Sequence, residues 1–273
     1  MSRIETGIGV LPKIITVAVL AFAGCKNDKQ PINPRVDSAP PVSAAAFEPT
    51  PTAIVPHSPT PEPLPTPTPE IKPPRFIERG NPNRPEIALT LDGGAGSTHS
   101  AAILDVLAEK GVKATMFLTG KWMEQNPNLV RRMVEEGHQI ANHSWDHTDF
   151  RELSDDQIRQ QLQKTEAKAL ELTGVSTKPY FRPPYGGYDR RVVSIVTQEG
   201  YTQFVYWTYD SGDWIDDLPP TRVQANIVSK AQNGAIVVMH LNSWQEPRTL
   251  GQTIDILRQR GLQPVTLSEI LKD

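Results

Sequence analysis

His143-Ser-Trp-Asp-His147 sets two imidazoles four residues apart. If the backbone turns between them, two ring nitrogens can be aimed at one point, which is how proteins hold zinc and similar divalent ions. Spacing alone leaves open a pair of ordinary loop histidines. Four more polar clusters end or follow apolar, strand-like runs: Thr90-Leu-Asp92-Gly-Gly, Phe181-Arg182-Pro-Pro-Tyr185-Gly186, Tyr209-Asp210-Ser-Gly-Asp213-Trp214 and Val237-Val-Met-His240. Singly, each has an ordinary reading, with Asp92 as a helix cap, Arg182 beside a proline turn, Asp213 closing a turn and His240 in the core. Five such clusters at strand ends, in one chain with a histidine pair at this spacing, do not read as independent accidents.

The elements that must carry these clusters alternate between strand and helix. Ile87–Leu91 reads as a buried strand, and Ser100 caps a helix that runs to Lys110 and stops at Gly111. A strand follows at Val112–Leu118. Asn126-Pro127 opens a helix that ends at Gly137, and His138–Asn142 is the next strand. Ser154-Asp-Asp-Gln157 is a capping box for a helix with Ile158, Leu162, Ala169 and Leu172 on one face, stopped by Gly174. Pro179–Phe181 is a short strand. Asp189 caps a helix to Glu199, Tyr201–Trp207 is a strand, and Thr221 caps a further helix. Ala235–Met239 is the most apolar strand, followed by a helix over Pro247–Arg260 and a last strand–helix pair in Gln263–Lys272. About seven βα units in roughly 190 residues predict a (β/α) barrel with its chemistry at the C-terminal ends of the strands. A doubly wound open sheet is the alternative. Gly93-Gly94-Ala-Gly96 lacks the spacing of a nucleotide fingerprint that would support it.

Composition narrows the partners. The formal net charge is −3 and no basic run follows the N-terminal segment, so a nucleic-acid partner is not expected. The single cysteine, Cys25, leaves no intrachain disulfide and no thiolate zinc site, so any metal rests on His, Asp or Glu. Residues 1–25 read as an export signal. Arg3 and Lys13 precede the apolar run Ile14–Ala23, which is shorter than the about 20 residues needed to span a bilayer. Its tail, Leu20-Ala-Phe-Ala-Gly-Cys25, resembles a bacterial lipoprotein signal, with Cys25 as the lipid-bearing residue and Phe22 as the departure from that pattern. Residues 26–80 read as a disordered Pro/Thr-rich linker without a packed core, His57 being inert. Its Pro59–Pro69 stretch favours polyproline II, and at about 3.1 Å per residue such a segment reaches well over ~100 Å.

From about Pro85 onwards, the five clusters in this order resemble the motifs of the polysaccharide deacetylases of NodB homology type, carbohydrate esterase family 4. The resemblance implies a distorted (β/α)7 barrel over residues 81–273. It also implies a metal-dependent hydrolase that removes N-acetyl groups from an amino-sugar polysaccharide, peptidoglycan or chitin-like, or O-acetyl groups from xylan. Carried over residue by residue, it makes His143 and His147 metal ligands, zinc being the expected ion. Asp92 becomes the base, Arg182 its tether, His240 the general acid and Asp213 the partner of His240. The Tyr185 N–H becomes the oxyanion donor, and Val238 and Trp214 wall the acetyl methyl group. The expected protein is an exported monomer, joined to the membrane only through Cys25. One position departs from the family pattern, because Gly93 stands where a second aspartate, the third metal ligand, is usual. Asp92 itself, water, Asp146 or His99 are the candidates to fill that place. The same departure keeps open a catalytically weak, glycan-binding barrel.

Overall fold

The computed structural model describes residues 72–272. The expected signal with Cys25, and the linker up to residue 71, lie outside the described residues.

Nine strands form one sheet in which all strand pairings are parallel: β1 (Arg75–Ile77), β2 (Glu86–Gly93), β3 (Thr115–Leu118), β4 (Gln139–Asn142), β5 (Tyr180–Phe181), β6 (Gln203–Val205), β7 (Tyr209–Asp210), β8 (Ala235–His240) and β9 (Gln263–Val265). The strand order is β1-β6-β5-β4-β3-β2-β8-β7, with β9 pairing additionally with β2. Eight helices connect and cover it: α1 (Ser100–Glu109), α2 (Gly120–Gln125), α3 (Pro127–Glu135), α4 (Asp155–Thr173), α5 (Arg190–Gln198), α6 (Pro220–Lys230), α7 (Glu246–Gln259) and α8 (Leu267–Ile270). This is the distorted (β/α)7 barrel that the alternation of elements predicts, and no open doubly wound sheet forms.

The two central strands, β2 and β8, are near-continuous apolar runs because both of their faces are covered. Side chains alternate between faces along a strand. Ile87, Leu89 and Leu91 enter the apolar layer shared with Ile103, Leu104, Leu250 and Ile254 of the helices. Ala88, by contrast, joins the inner cluster with Phe117, Ala141, Val205 and Ile236. The same alternation sends Asp92 inward and Gly93 toward the helix layer. A Cβ on Gly93 would stand 2.8 Å from Leu118 Cδ2 and 2.9 Å from Leu241 Cδ1.

Several predicted boundaries move, for a shared reason. Val112, His138 and Tyr201 do not begin strands; their N–H groups bond back to Leu107, Met133 and Val196. Each follows a glycine at positive φ (Gly111 59°, Gly137 83°, Gly200 90°), so these apolar residues close helices rather than open strands. Ser100 is not a cap. It is the first residue of α1, and its hydroxyl donates to the Leu241 carbonyl at 2.9 Å. Thr221 is not a cap either, because α6 starts at Pro220 with no side-chain cap. The capping box at Ser154 and the stop at Gly174, at φ 70°, form as expected. The expectation of no packed core up to residue 80 fails at β1. This strand pairs with β6, and Ile77 is buried in the inner cluster.

Candidate active site

Asp92, at the inner face near the end of β2, is buried. Its Oδ1 receives Arg182 Nη1 at 2.5 Å. Arg182, fully buried after β5, is fixed on all sides. Its Nη2 donates to Thr90 Oγ1 (3.0 Å) and the Tyr206 carbonyl (3.1 Å), its Nε donates to the Val205 carbonyl (3.2 Å), and its guanidinium lies 4.0 Å from the Phe117 ring centroid. Thr90 is itself locked by donating to the Val237 carbonyl at 2.6 Å. Burial pushes the Asp92 carboxyl up. Arg182, His143 and His240 outweigh it and hold the group below the usual carboxylate range. Asp92 is therefore ionised at neutral pH.

The two histidines of the HxxxH pair leave β4 on a tight turn. Ser144 and His147 both take positive φ (72° and 65°), and the Asn142 side chain accepts from Ser144 N–H at 2.9 Å to hold the turn. The rings meet edge-on, with centroids 4.8 Å apart. His143 Nδ1 lies 2.8 Å from the Arg182 carbonyl. A carbonyl only accepts, so Nδ1 carries the hydrogen and Nε2 presents its lone pair, 3.6 Å from Asp92 Oδ2. Burial lowers the pKa of His143 to about 4 and also lowers that of His147, so both rings are neutral near pH 7.

His240 ends β8. Its Nδ1 sits 2.7 Å from Asp213 Oδ1, and its backbone N–H donates to Asp213 Oδ2 at 2.7 Å. Burial pulls the imidazole down, but the hydrogen bond and charge of Asp213, with Asp92 behind them, outweigh it and raise the pKa. The pKa values of Asp92 and His240 are thus pushed in opposite directions on adjacent strands.

Two cavities open on these groups and share Asp92, His143, His147, Trp214 and His240. One, of about 480 Å³, is bounded by Pro183, Tyr185, Gly186, Trp207, Asp210 and Val238. The other, of about 310 Å³, extends over Asp213, Asp216, Asn242, Ser243 and Trp244. Trp214 stands between them with its Nε1 donating to Asp210 Oδ2 at 3.1 Å. Every site residue expected in the described part therefore converges here. Asp146 does not: it is held by Thr148 and Gln161 and lines a different cavity. His99 sits at the start of α1 and lines neither cavity.

The donor chemistry fits a borderline divalent ion, with two neutral imidazoles and the Asp92 carboxylate nearby. The number of donors is short, since among the described residues no three His, Cys, Asp or Glu side chains are grouped to hold a metal. Gly93 supplies no carboxylate, and its position faces Leu118 and Leu241 of the apolar layer.

Matches to known proteins agree with this geometry. Residues 79–204 match the family model described as polysaccharide deacetylase. The peptidoglycan N-acetylmuramic acid deacetylase PdaA of Bacillus subtilis is 30% identical over 70% of this chain and 73% of its own length. The chain belongs to the polysaccharide deacetylase family. This family is the NodB homology, carbohydrate esterase 4 group that the five clusters resemble. The peptidoglycan N-acetylglucosamine deacetylase PgdA of Listeria monocytogenes is 36% identical over 67% of this chain, which spans 38% of that longer protein. Among solved structures, BA3943 of Bacillus anthracis, described as a family pseudoenzyme, superimposes with a TM-score of 0.68. It is 32% identical, over 73% of this chain and 69% of its own.

Sequence reasoning missed Trp207, Asn242, Trp244 and Glu246. The first three line the cavities, and the residues after His240 carry no recognisable signal for Asn242 or Trp244. Glu246 lies in the first turn of α7, fully buried with neither carboxyl oxygen hydrogen-bonded. Burial and the nearby Asp213 push it well above the usual carboxylate range.

Proposed function

We propose that the chain is a hydrolase that removes N-acetyl groups from an amino-sugar polysaccharide of the cell envelope. The observation that carries this reading is the Arg182-paired Asp92 beside His240, whose pKa Asp213 raises, at the mouth of a cavity with one apolar flank. In the proposed reaction, Val238, Trp207 and Trp214 enclose the acetyl methyl group and exclude bulk water from it. Asp92 accepts the proton of a water that attacks the acetyl carbon, and Arg182 keeps Asp92 oriented and charged. The Tyr185 N–H is the donor for the oxyanion. His240 gives its proton to the departing nitrogen, and Asp213 holds the ring in place for that transfer. A divalent ion, zinc being the expected one, would be held by His143 and His147; when bound, it supplies Lewis acidity to the acetyl oxygen and acidifies water. Acetate release from N-acetylglucosamine oligomers and from peptidoglycan, with metal content determined on the same sample, tests the reading. Release from xylan instead would favour an O-acetyl esterase, whose alcohol leaving group depends less on His240.

Gly93 and the resemblance to a pseudoenzyme support a second reading, a glycan-binding barrel with weak catalysis. Glycan binding without acetate release at any added zinc concentration would establish it.

We also propose export and anchoring through Cys25, with the monomeric domain on a tether. The apolar run that ends at the lone cysteine supports this. Cys25→Ser should release the protein from membranes; continued membrane association would refute anchoring.

A further inference from the structure

The turn that carries His143 and His147 is held against the barrel from two sides, and one side rests on a single side chain. Ser144 and His147 take positive φ, where residues with a Cβ persist only when their surroundings over-determine the backbone. The N–H groups of Ser144, His147 and Thr148 donate to the side chains of Asn142, Ser144 and Asp146, acceptors that belong to the turn and move with it. The Ser144 and Trp145 carbonyls accept from the Gly120 and Lys121 N–H groups (3.0 and 2.9 Å), two donors that the start of α2 leaves without helical partners. Gly120 permits this approach, because a Cβ there would overlap the Trp145 ring. The N–H groups of Trp145 and Asp146 both donate to one atom, Gln161 Oε1 of α4, at 2.7 and 3.1 Å. Gln161 Nε2 donates in turn to Asp146 Oδ1 at 2.7 Å. Ile158 and Leu162, on the buried face of α4, flank Gln161 and fix where it stands.

We propose that Gln161 is a positioning residue, whose one amide oxygen fixes the turn between His143 and His147 and so sets how the two rings converge before an ion arrives. The grip on the turn follows from the hydrogen bonds alone; its consequence for an ion rests on the reading of the two histidines as metal ligands. Such positioning matters more here than in a site with three ligands. Gly93 adds no carboxylate to draw an ion in, so the two imidazoles must already be in place. Without Oε1, the backbone bonds to α2 hold only the Ser144–Trp145 part of the turn. His143 keeps its ring bond to the Arg182 carbonyl and its N–H bond to the Leu118 carbonyl, so the loss falls on His147.

The test reads the turn and the ion separately, on the full chain. In metal-free protein, Gln161→Met keeps the length of the side chain and loses its oxygen. It should speed amide hydrogen exchange at Trp145 and Asp146 about fivefold or more and leave Ile140 of β4 unchanged. Zinc affinity, measured by calorimetry, should fall about tenfold or more, as when groups that orient metal ligands are removed. Gln163→Met on the same helix loses a bond to Glu199 rather than to the turn, and should leave both readouts in place. The double variant Gln161→Glu with Asp146→Asn keeps an acceptor for the two N–H groups and swaps donor and acceptor in the side-chain pair, so it should restore most of both. Unchanged exchange in Gln161→Met, unchanged zinc affinity despite faster exchange, equal losses in Gln163→Met, or a double variant no better than Gln161→Met would overturn the inference. If wild type takes up no zinc, the metal reading of the histidines fails, and exchange at Trp145 and Asp146 alone decides whether Gln161 holds the turn.

Discussion

Asp92 and His240 are register partners on β2 and β8, a carboxylate and an imidazole on neighbouring parallel strands at the open end of the barrel. Their separate partners, Arg182 and Asp213, drive the first toward the ionised form and the second toward the protonated form. Two groups adjusted in opposite directions in one cavity are the arrangement that acid–base catalysis at one pH requires.

Asp213→Asn removes the negative charge, and one of the two acceptor oxygens, that hold the His240 proton. The pKa of His240 should fall, so the basic limb of the pH–kcat profile should move to lower pH and the rate at neutral pH should drop. A basic limb that stays in place would show that His240 is not the proton donor.

Arg182→Leu leaves the Asp92 carboxylate buried with no counter-ion. Breaking a buried pair in this way costs about 3–5 kcal/mol of stability. Denaturant unfolding should show such a loss. The double variant Arg182→Leu with Asp92→Leu should recover part of it, because both charges are then gone. A loss below about 1 kcal/mol in the single variant would contradict the tethering role.

Glu246 predicts a pH-dependent penalty with a definite sign. Its folded pKa lies above its unfolded one, so its ionisation costs no stability below the unfolded value, near 4.5, and that cost grows as pH rises above it. Glu246→Met should therefore stabilise the protein at pH 7, by about 1–3 kcal/mol, and far less at pH 4. Equal effects at both pH values would mean that the carboxyl is not driven toward its neutral form.

Gly93→Asp inserts a carboxylate between Leu118 and Leu241, whose side-chain ends must give way. The metal-free variant should be less stable than wild type by about 1–3 kcal/mol. Once those ends shift and the strand end turns, the new carboxylate offers the ion an anionic ligand that Gly93 lacks. Zinc should then raise Tm more in the variant than in wild type. Identical zinc-induced shifts would show that position 93 cannot reach the ion.

Much of this was legible in the sequence, because the polar clusters terminate apolar runs. Asp92 follows Ile87–Leu91 and His240 follows Ala235–Met239, and strand alternation then fixes which face each side chain takes. Arg182 and Asp213 were visible only as parts of a pattern, since their partners lie 90 and 27 residues away. The short strands were not legible. β1 hides in a Pro-rich neighbourhood, and β7 has two residues, too few for any periodicity. The outcome at Gly93 was out of reach too. Composition shows a missing carboxylate, but only the packing of Leu118 and Leu241 shows that its place is filled by apolar side chains. Glu246 looked like an ordinary first-turn acid, and its burial is set by tertiary packing that no local pattern reveals.

Acetate release from N-acetylglucosamine oligomers in the presence of zinc, by wild type and by Asp92→Asn and His240→Ala, tests the proposed chemistry most directly. Wild type should release acetate, and each variant should do so 10²- to 10⁴-fold more slowly while remaining folded. A wild-type protein that binds the oligomer and releases no acetate, or folded variants that match wild type, would contradict the assignment of Asp92 as base and His240 as acid.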